Sequence, residues 1–375
     1  MERAWATVLK HLVSMMATYH GLRQAEIASG EVLGTYSIRK HHRMYGFALL
    51  AAATIYPAIA ILAWVRNRDQ LPEPKDVVVK TAVLGGLTTI PILVVGMVLS
   101  VVLGVSFDDA QPTLRNALLG AFVIAALNEE SFKFLVLRGY SARHDAFDEP
   151  FDGIVYGVAA SIGFAIVENV MYVFSGWSEG GLADGFIIAG LRALTAIPGH
   201  AACGVILGAC IGIGRFSPGR GWMLLGFIAA VCFHGAYDAF LMAAEVPELQ
   251  RAGLTLPLVG GFIITFVLEV VVAGLAIARL RRDQIRWNDA NVPPRDDAGD
   301  GWLPSGEVDP LVRAGVRRRA EPASGGVPRW PIFSLVIAGF SGVLLVISFA
   351  IILLVRASAT AESGLEPRDE ALVFI

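Results

Sequence analysis

Apolar residues in this chain fall into long runs of about 20 residues, the length a helix needs to cross roughly 30 Å of hydrocarbon. About eight such runs can be traced, near 46–65, 81–104, 114–137, 152–175, 185–212, 221–244, 254–278 and 331–355. Strand-like alternation dominates none of them, and a helix satisfies its own backbone hydrogen bonds in lipid. The pattern predicts an all-α fold, a polytopic transmembrane helical bundle of about eight spanning helices. Residues 1–45 read as an N-terminal extension, 46–280 as a membrane domain of about seven helices and 281–328 as a flexible cytoplasmic linker. Residues 329–356 read as an additional transmembrane helix and 357–375 as a tail.

Composition agrees with the pattern. Of 375 residues, 55% are hydrophobic and 17% charged, too apolar for an ordinary soluble protein. The near-neutral balance, net charge −3, gives no basic surface that would point to nucleic acid. Arg66, Arg68 and Lys75 follow the first run, Arg138 and Arg143 the third, Arg215 and Arg220 the fifth, and Arg279 to Arg286 the seventh. Positive charge is retained in the cytoplasm, so these loops are expected there. Strict alternation then places residues 1–45 outside, against the charge of Arg39, Lys40 and Arg43, unless a helix near Leu9 to Ala17 also enters the membrane. No cleavable signal peptide is expected in Met1 to Gly30. Cys203, Cys210 and Cys232 lie in apolar runs without CxxC spacing and read as small buried residues.

Against this background the stretch ALNEESFKFLVL stands out, because it sets Glu129, Glu130 and Lys133 inside an apolar run. An ionisable group near the middle of a span costs roughly 2.5–3.5 kcal/mol on insertion scales and usually faces the bundle interior. Partners should therefore exist at similar depth on other spans. Glu168 and Asn169 occur on the fourth, His200 on the fifth, and His234 and Asp238 on the sixth. Glu129 and Lys133, four apart, share a face and can pair, with Glu130 about 100° around the helix. His234 and Asp238 have the same spacing. Gly153, Gly157 and Ser161 on the fourth span, and Gly204, Gly208 and Gly212 on the fifth, predict close helix contact. Pro198 and Gly199 are expected to open the helix beside His200. Asp152, at the mouth of the fourth span, reads as a cap.

Two adjacent carboxylates in a low-dielectric pocket resist simultaneous ionisation, which yields a proton donor and a proton acceptor together. Hydrolysis of a peptide bond needs such a pair, a bound water and donors for the developing oxyanion. The motifs EESFK, FAIVEN and HGAYD occur in that order on separate spans, with DEPFDGIVYG after the first and Arg192 ahead of His200. This set resembles the PrsW family of intramembrane proteases, over roughly residues 46–280. The family is related to the CAAX prenyl proteases and the bacteriocin-processing enzymes, and its namesake cleaves a membrane-bound anti-sigma factor. The resemblance implies a multi-pass endopeptidase of the bacterial plasma membrane, whose partners are the lipid bilayer and a membrane-protein substrate; its oligomeric state is left open. It implies that Glu129 and Glu130 activate water, that Lys133 tunes them, and that Glu168, Asn169, His200, His234 and Asp238 complete the site.

Metal dependence stays open at this stage. His200 and His234 with Glu129, Glu130 or Glu168 could hold Zn²⁺, and the family is often described as metalloproteases. There is no HExxH motif, and the reading inclines to carboxylate-activated water without metal. Two other classes fit buried ionisable groups: a proton-coupled transporter and a non-catalytic membrane scaffold. The first lacks an inverted repeat of polar positions, and the second would be expected to have lost a motif carboxylate.

Overall fold

Proline and glycine decide where the apolar runs break into helices. The computed structural model describes residues 33–106, 112–216 and 221–291. Its helices are α1 (Leu33–Arg66), α2 (Lys75–Leu87), α3 (Thr89–Leu103), α4 (Leu114–Leu119), a π-helical segment (Gly120–Leu127), α5 (Asn128–Gly139), a 3₁₀ turn (Ser141–Arg143), α6 (Pro150–Leu194), α7 (Ala196–Phe216), α8 (Gly221–Ala244), α9 (Pro247–Arg251) and α10 (Thr255–Asn291). No strand occurs among the described residues. Five stretches are long and apolar enough to cross a membrane: Leu49–Arg66, Lys75–Leu103, Pro150–Phe216, Gly221–Ala244 and Thr255–Ile285.

The run at 81–104 begins earlier than expected, at Lys75, and kinks at Thr88. Pro91 lacks the amide that would bond back to the carbonyl of Leu87, which accounts for the break. The run at 114–137 is not one α-helix: its middle is π-helical, and α5 starts only at Asn128. The run expected at 331–355, residues 1–32 with the Leu9–Ala17 segment, and residues 292–328 lie outside the described residues. Residues 281–291, expected in a flexible linker, instead extend α10. Gln284 explains the extension, for its buried amide donates to Asp69 Oδ1 at 2.8 Å and to Glu149.

Helix α6 is the axis of the bundle, and every residue from Phe151 to Ala165 is buried. It is two helices joined at Gly181, whose φ of 84° and ψ of −170° suit only glycine. The chain rises along residues 150–180, turns at Gly181 and descends through 182–194 into α7. The rising arm, at about 1.5 Å per residue, measures about 46 Å, so its tip outreaches a hydrocarbon core of about 30 Å. A second break at Thr195 (φ −123°, ψ −67°) separates the descending arm from α7. The opening near His200 thus falls just ahead of Pro198, which sits within the first turn of α7.

The rising arm of α6 and helix α7 run antiparallel in backbone contact. A Cβ at Gly153 would strike the carbonyl of Gly208, one at Gly157 that of Gly204, and one at Gly208 that of Gly153. On the opposite side Gly163 meets the Ala82 carbonyl and Gly85 that of Ala160, which brings α2 equally close. Such approach supplies the van der Waals contact that holds helices together when lipid is as apolar as their side chains. Gly208→Val is expected to lower stability by about 3 kcal/mol or more. Gly190→Ala, in open space on the descending arm, serves as the neutral control, and melting in detergent compares the two.

Outward faces are apolar: Ile90, Val94, Val98, Val101 and Val102 of α2–α3 are all more than half exposed. In water such a surface would drive aggregation; in a bilayer it is the lipid contact. The loops expected in the cytoplasm meet at one end of the bundle. Arg66 donates to the Glu73 carbonyl at 2.7 and 3.1 Å, Arg215 to the Ala142 carbonyl, and Gln284 links the loop after α1 to the start of α6.

Candidate active site

The π-helical segment sets the rotation of the first motif. A wider turn shifts the phase of everything after it, and such bulges often mark functional sites. Asn128 pins the end of the segment by donating to the carbonyls of Ile92 at 2.8 Å and Ile124 at 3.2 Å. Beyond it Glu129, Glu130 and Lys133 all turn inward, at 1%, 0% and 0% exposure. Phe122 of the π segment lies against Gly235, where a Cβ would strike its ring, so glycine next to His234 lets these elements touch.

Lys133 Nζ is the hub. It lies 2.7 Å from Glu130 Oε1, 3.4 Å from Glu129 Oε2 and 3.2 Å from His200 Nδ1, with the Phe164 ring centre at 4.4 Å. The i,i+4 pairing of Glu129 with Lys133 is present, but Glu130 at i+3 is the closer partner. Three and four residues both return to the same helix face, and at full burial the ammonium takes both carboxylates. His200 Nε2 meets Glu168 Oε2 at 2.8 Å. If that nitrogen carries the ring proton, Nδ1 is the acceptor that Lys133 requires.

His234 is the second hub. Its Nδ1 lies 2.9 Å from Glu130 Oε1, and its Nε2 lies 3.3 Å from Asp238 Oδ2 and 3.7 Å from Glu129 Oε2. The two imidazoles cross edge to face with centroids 5.3 Å apart. All eight residues singled out from the sequence therefore fall into one connected group. Two of them act at its margin: Glu168 and Asn169 receive Arg192, at 2.6 Å from Nη2 and 2.5 Å from Nε. Arg192 comes from the descending arm of α6 and stacks over Tyr172 at 4.0 Å.

A cavity of about 70 Å³ opens against this group, room for a few waters. Glu129, Glu168, His200, His234 and Asp238 line it, whereas Glu130, Lys133 and Asn169 stand behind the wall. Two lining residues escaped the sequence reading as site members, Arg192 and Glu269. Glu269, on α10, is 1% exposed and accepts from Cys203 Sγ at 2.8 Å, so Cys203 is more than a small apolar filler. Its signal was available, since Glu269 is a lone carboxylate inside the run 254–278.

The arrangement joins paired buried carboxylates, two histidines and a small cavity inside a bundle of membrane-spanning helices. The family described as PrsW family intramembrane metalloprotease matches residues 73–276. The chain belongs to the PrsW family of intramembrane proteases. Protease PrsW of Geobacillus kaustophilus is 33% identical over 202 residues, covering 53% of this chain and 82% of that protein. Protease PrsW of Bacillus subtilis is 34% identical over 201 residues, 52% and 84% of the two chains. Protease PrsW of Clostridioides difficile is 27% identical over 193 residues, 50% and 77%. No solved structure matches the chain. This PrsW-family chain is thus a peptidase, all-helical and membrane-embedded, and its bacterial relatives mark it as a bacterial membrane protein whose substrates are membrane proteins.

The family description includes a metal, and the PrsW site can be tested for it. Glu129, Glu130, His200 and His234 each offer a ligand atom within 4.8 Å of the others. Two imidazole nitrogens with carboxylate oxygens are donors that suit zinc in kind and number. Glu130 Oε2, buried and without a hydrogen-bond partner, is an oxygen still to be satisfied. The residues fit. Lys133 lies against three of the four donors, so it would share them with any ion bound there.

Proposed function

We propose that this chain hydrolyses peptide bonds in or near transmembrane segments of proteins in the bacterial plasma membrane, anti-sigma-factor-like substrates among them, with Glu129 as the group that deprotonates the attacking water. The observation that carries the assignment is the asymmetry of the glutamate pair. Glu129 lines the cavity, while Glu130 lies behind it, held by Lys133 and His234.

A substrate helix must unwind beside the cavity, because a helical peptide bond is shielded from attack. Glu129 then takes a proton from water and the hydroxide adds to the carbonyl carbon. Arg192, which lines the cavity, has donors to spare for the oxyanion, while His200 and His234 hold the carboxylates around it. Asn169 contributes through Arg192, which it orients. As the carbonyl re-forms and the C–N bond breaks, the proton that Glu129 took from water passes to the leaving amine; Glu269, another buried carboxyl, lines the same cavity. His200, His234 and Glu130 are the residues that would hold a zinc ion, which when bound activates a coordinated water and polarises the scissile carbonyl.

The test compares new protein termini in membranes of cells carrying the wild-type chain or His234→Ala at equal abundance. Termini within or beside spanning segments that depend on His234 are expected. An unchanged set of termini overturns the reading and moves attention to ion or solute flux in vesicles.

A further inference from the structure

At the end of the bundle where the basic loops meet lies a second polar centre that the peptidase chemistry does not use. Asp69 and Glu73 come from the loop between α1 and α2, and Asp152 from the first turn of α6. One carboxylate oxygen of each lies within 4.8 Å of the others. All three side chains are buried, at 5%, 0% and 0% exposure.

Three of their six oxygens have assigned donors. Asp69 Oδ1 accepts from the Leu71 amide at 2.9 Å and from Gln284 at 2.8 Å. Tyr156 donates to Glu73 Oε2. Asp152 Oδ2 accepts from the amides of Asp148 at 2.7 Å and Glu149 at 2.8 Å, which is the capping role expected of it. Asp152 Oδ1 is left over: fully buried and with no hydrogen-bond donor. A buried carboxyl oxygen without a donor is costly to leave so. The carboxyl of Glu73 faces that of Asp152, and two acceptors cannot satisfy each other without something positive between them.

We infer that Asp69, Glu73 and Asp152 form a site for a hard divalent cation of the size of Ca²⁺, separate from the peptidase centre. The donors are oxygens alone, which suits Ca²⁺, Mg²⁺ or Mn²⁺ and does not suit zinc. Oxygens bound to one Ca²⁺ ion at roughly 2.3–2.6 Å lie at most about 5.2 Å apart, and the three here, all within 4.8 Å of one another, meet that limit.

The site would clamp the loop after α1 to the foot of α6. That helix carries Glu168 and Asn169 some 16 residues further on, about 24 Å along its axis. The foot of α6 is where a tie can fix the height of both residues against Arg192 and His200.

The experiment measures ⁴⁵Ca²⁺ binding to the chelator-stripped full chain in detergent, with melting followed in parallel. One Ca²⁺ per chain and a raised melting temperature are expected. Glu73→Gln should weaken binding at least tenfold and remove the thermal shift. Asp69→Asn should do the same and keeps the side-chain oxygen that Leu71 and Gln284 use, so it stands in if Glu73→Gln does not fold. No bound Ca²⁺ in the wild type would overturn the site and leave protons as the shared charge. Binding unaffected by both substitutions would overturn it too, by locating the ion elsewhere.

Discussion

Glu129→Gln is expected to lower peptide-bond cleavage by about 10²–10⁴-fold, the usual contribution of a positioned base, while the protein inserts and melts as the wild type does. The amide keeps the shape of the side chain and still accepts from Lys133, but it cannot take a proton from water. The fold should survive because Glu129 is the looser partner of Lys133, at 3.4 Å against 2.7 Å for Glu130. Cleavage of a single-span substrate in proteoliposomes, read as product termini by mass spectrometry, checks the rate; thermal melting in detergent checks the fold. Glu130→Gln makes the informative contrast. It removes the carboxylate shared by Lys133 and His234, so it should lose stability as well as rate. Wild-type turnover in Glu129→Gln would end the assignment of Glu129 as base.

Lys133→Met should have the largest effect on the protein itself. Lys133 is fully buried and meets two carboxylates and an imidazole, and its methylene stem cannot carry the ammonium to water. Removing it leaves uncompensated negative charge at membrane depth, a loss of about 3–5 kcal/mol in comparable buried pairs. That is a large share of the total stability of a folded domain. The variant should accumulate poorly and melt well below the wild type. Lys133→Met with Glu130→Gln should recover much of the loss, because the second change removes the orphaned charge; cleavage should stay low in both. Equal melting of single and double variants would mean that the pair is not what holds these helices.

That the eight candidate residues would face one another was legible in the sequence because of where they are. In an aqueous core a buried glutamate is hard to tell from a surface one by sequence, whereas inside an apolar run each ionisable residue advertises an inward face and a partner. Glu269 obeys the same rule but belongs to no motif. Arg192 was noticed ahead of His200, but its partners Glu168 and Asn169 are 24 and 23 residues away on the opposite arm of a hairpin. The break at Gly181 that builds this hairpin sits among several glycines in SEGGLADG, and local sequence does not mark which one turns the chain.

Insertion into a bilayer is governed by a cost that adds up along the chain, so length, hydropathy and the spacing of small residues were enough to predict a helical membrane bundle and the close contact of α6 with α7. Which glutamate faces the cavity depends instead on helix rotation. A π-helical segment before Asn128 changes that rotation by a fraction of a turn, and the bond of Asn128 to Ile92 and the contact of Phe122 with Gly235 hold it there. The pairing of Asp69 and Glu73 with Asp152 likewise follows from where a loop and a helix foot meet. Such meetings are decided by packing between distant segments, for which the one-dimensional pattern carries no term.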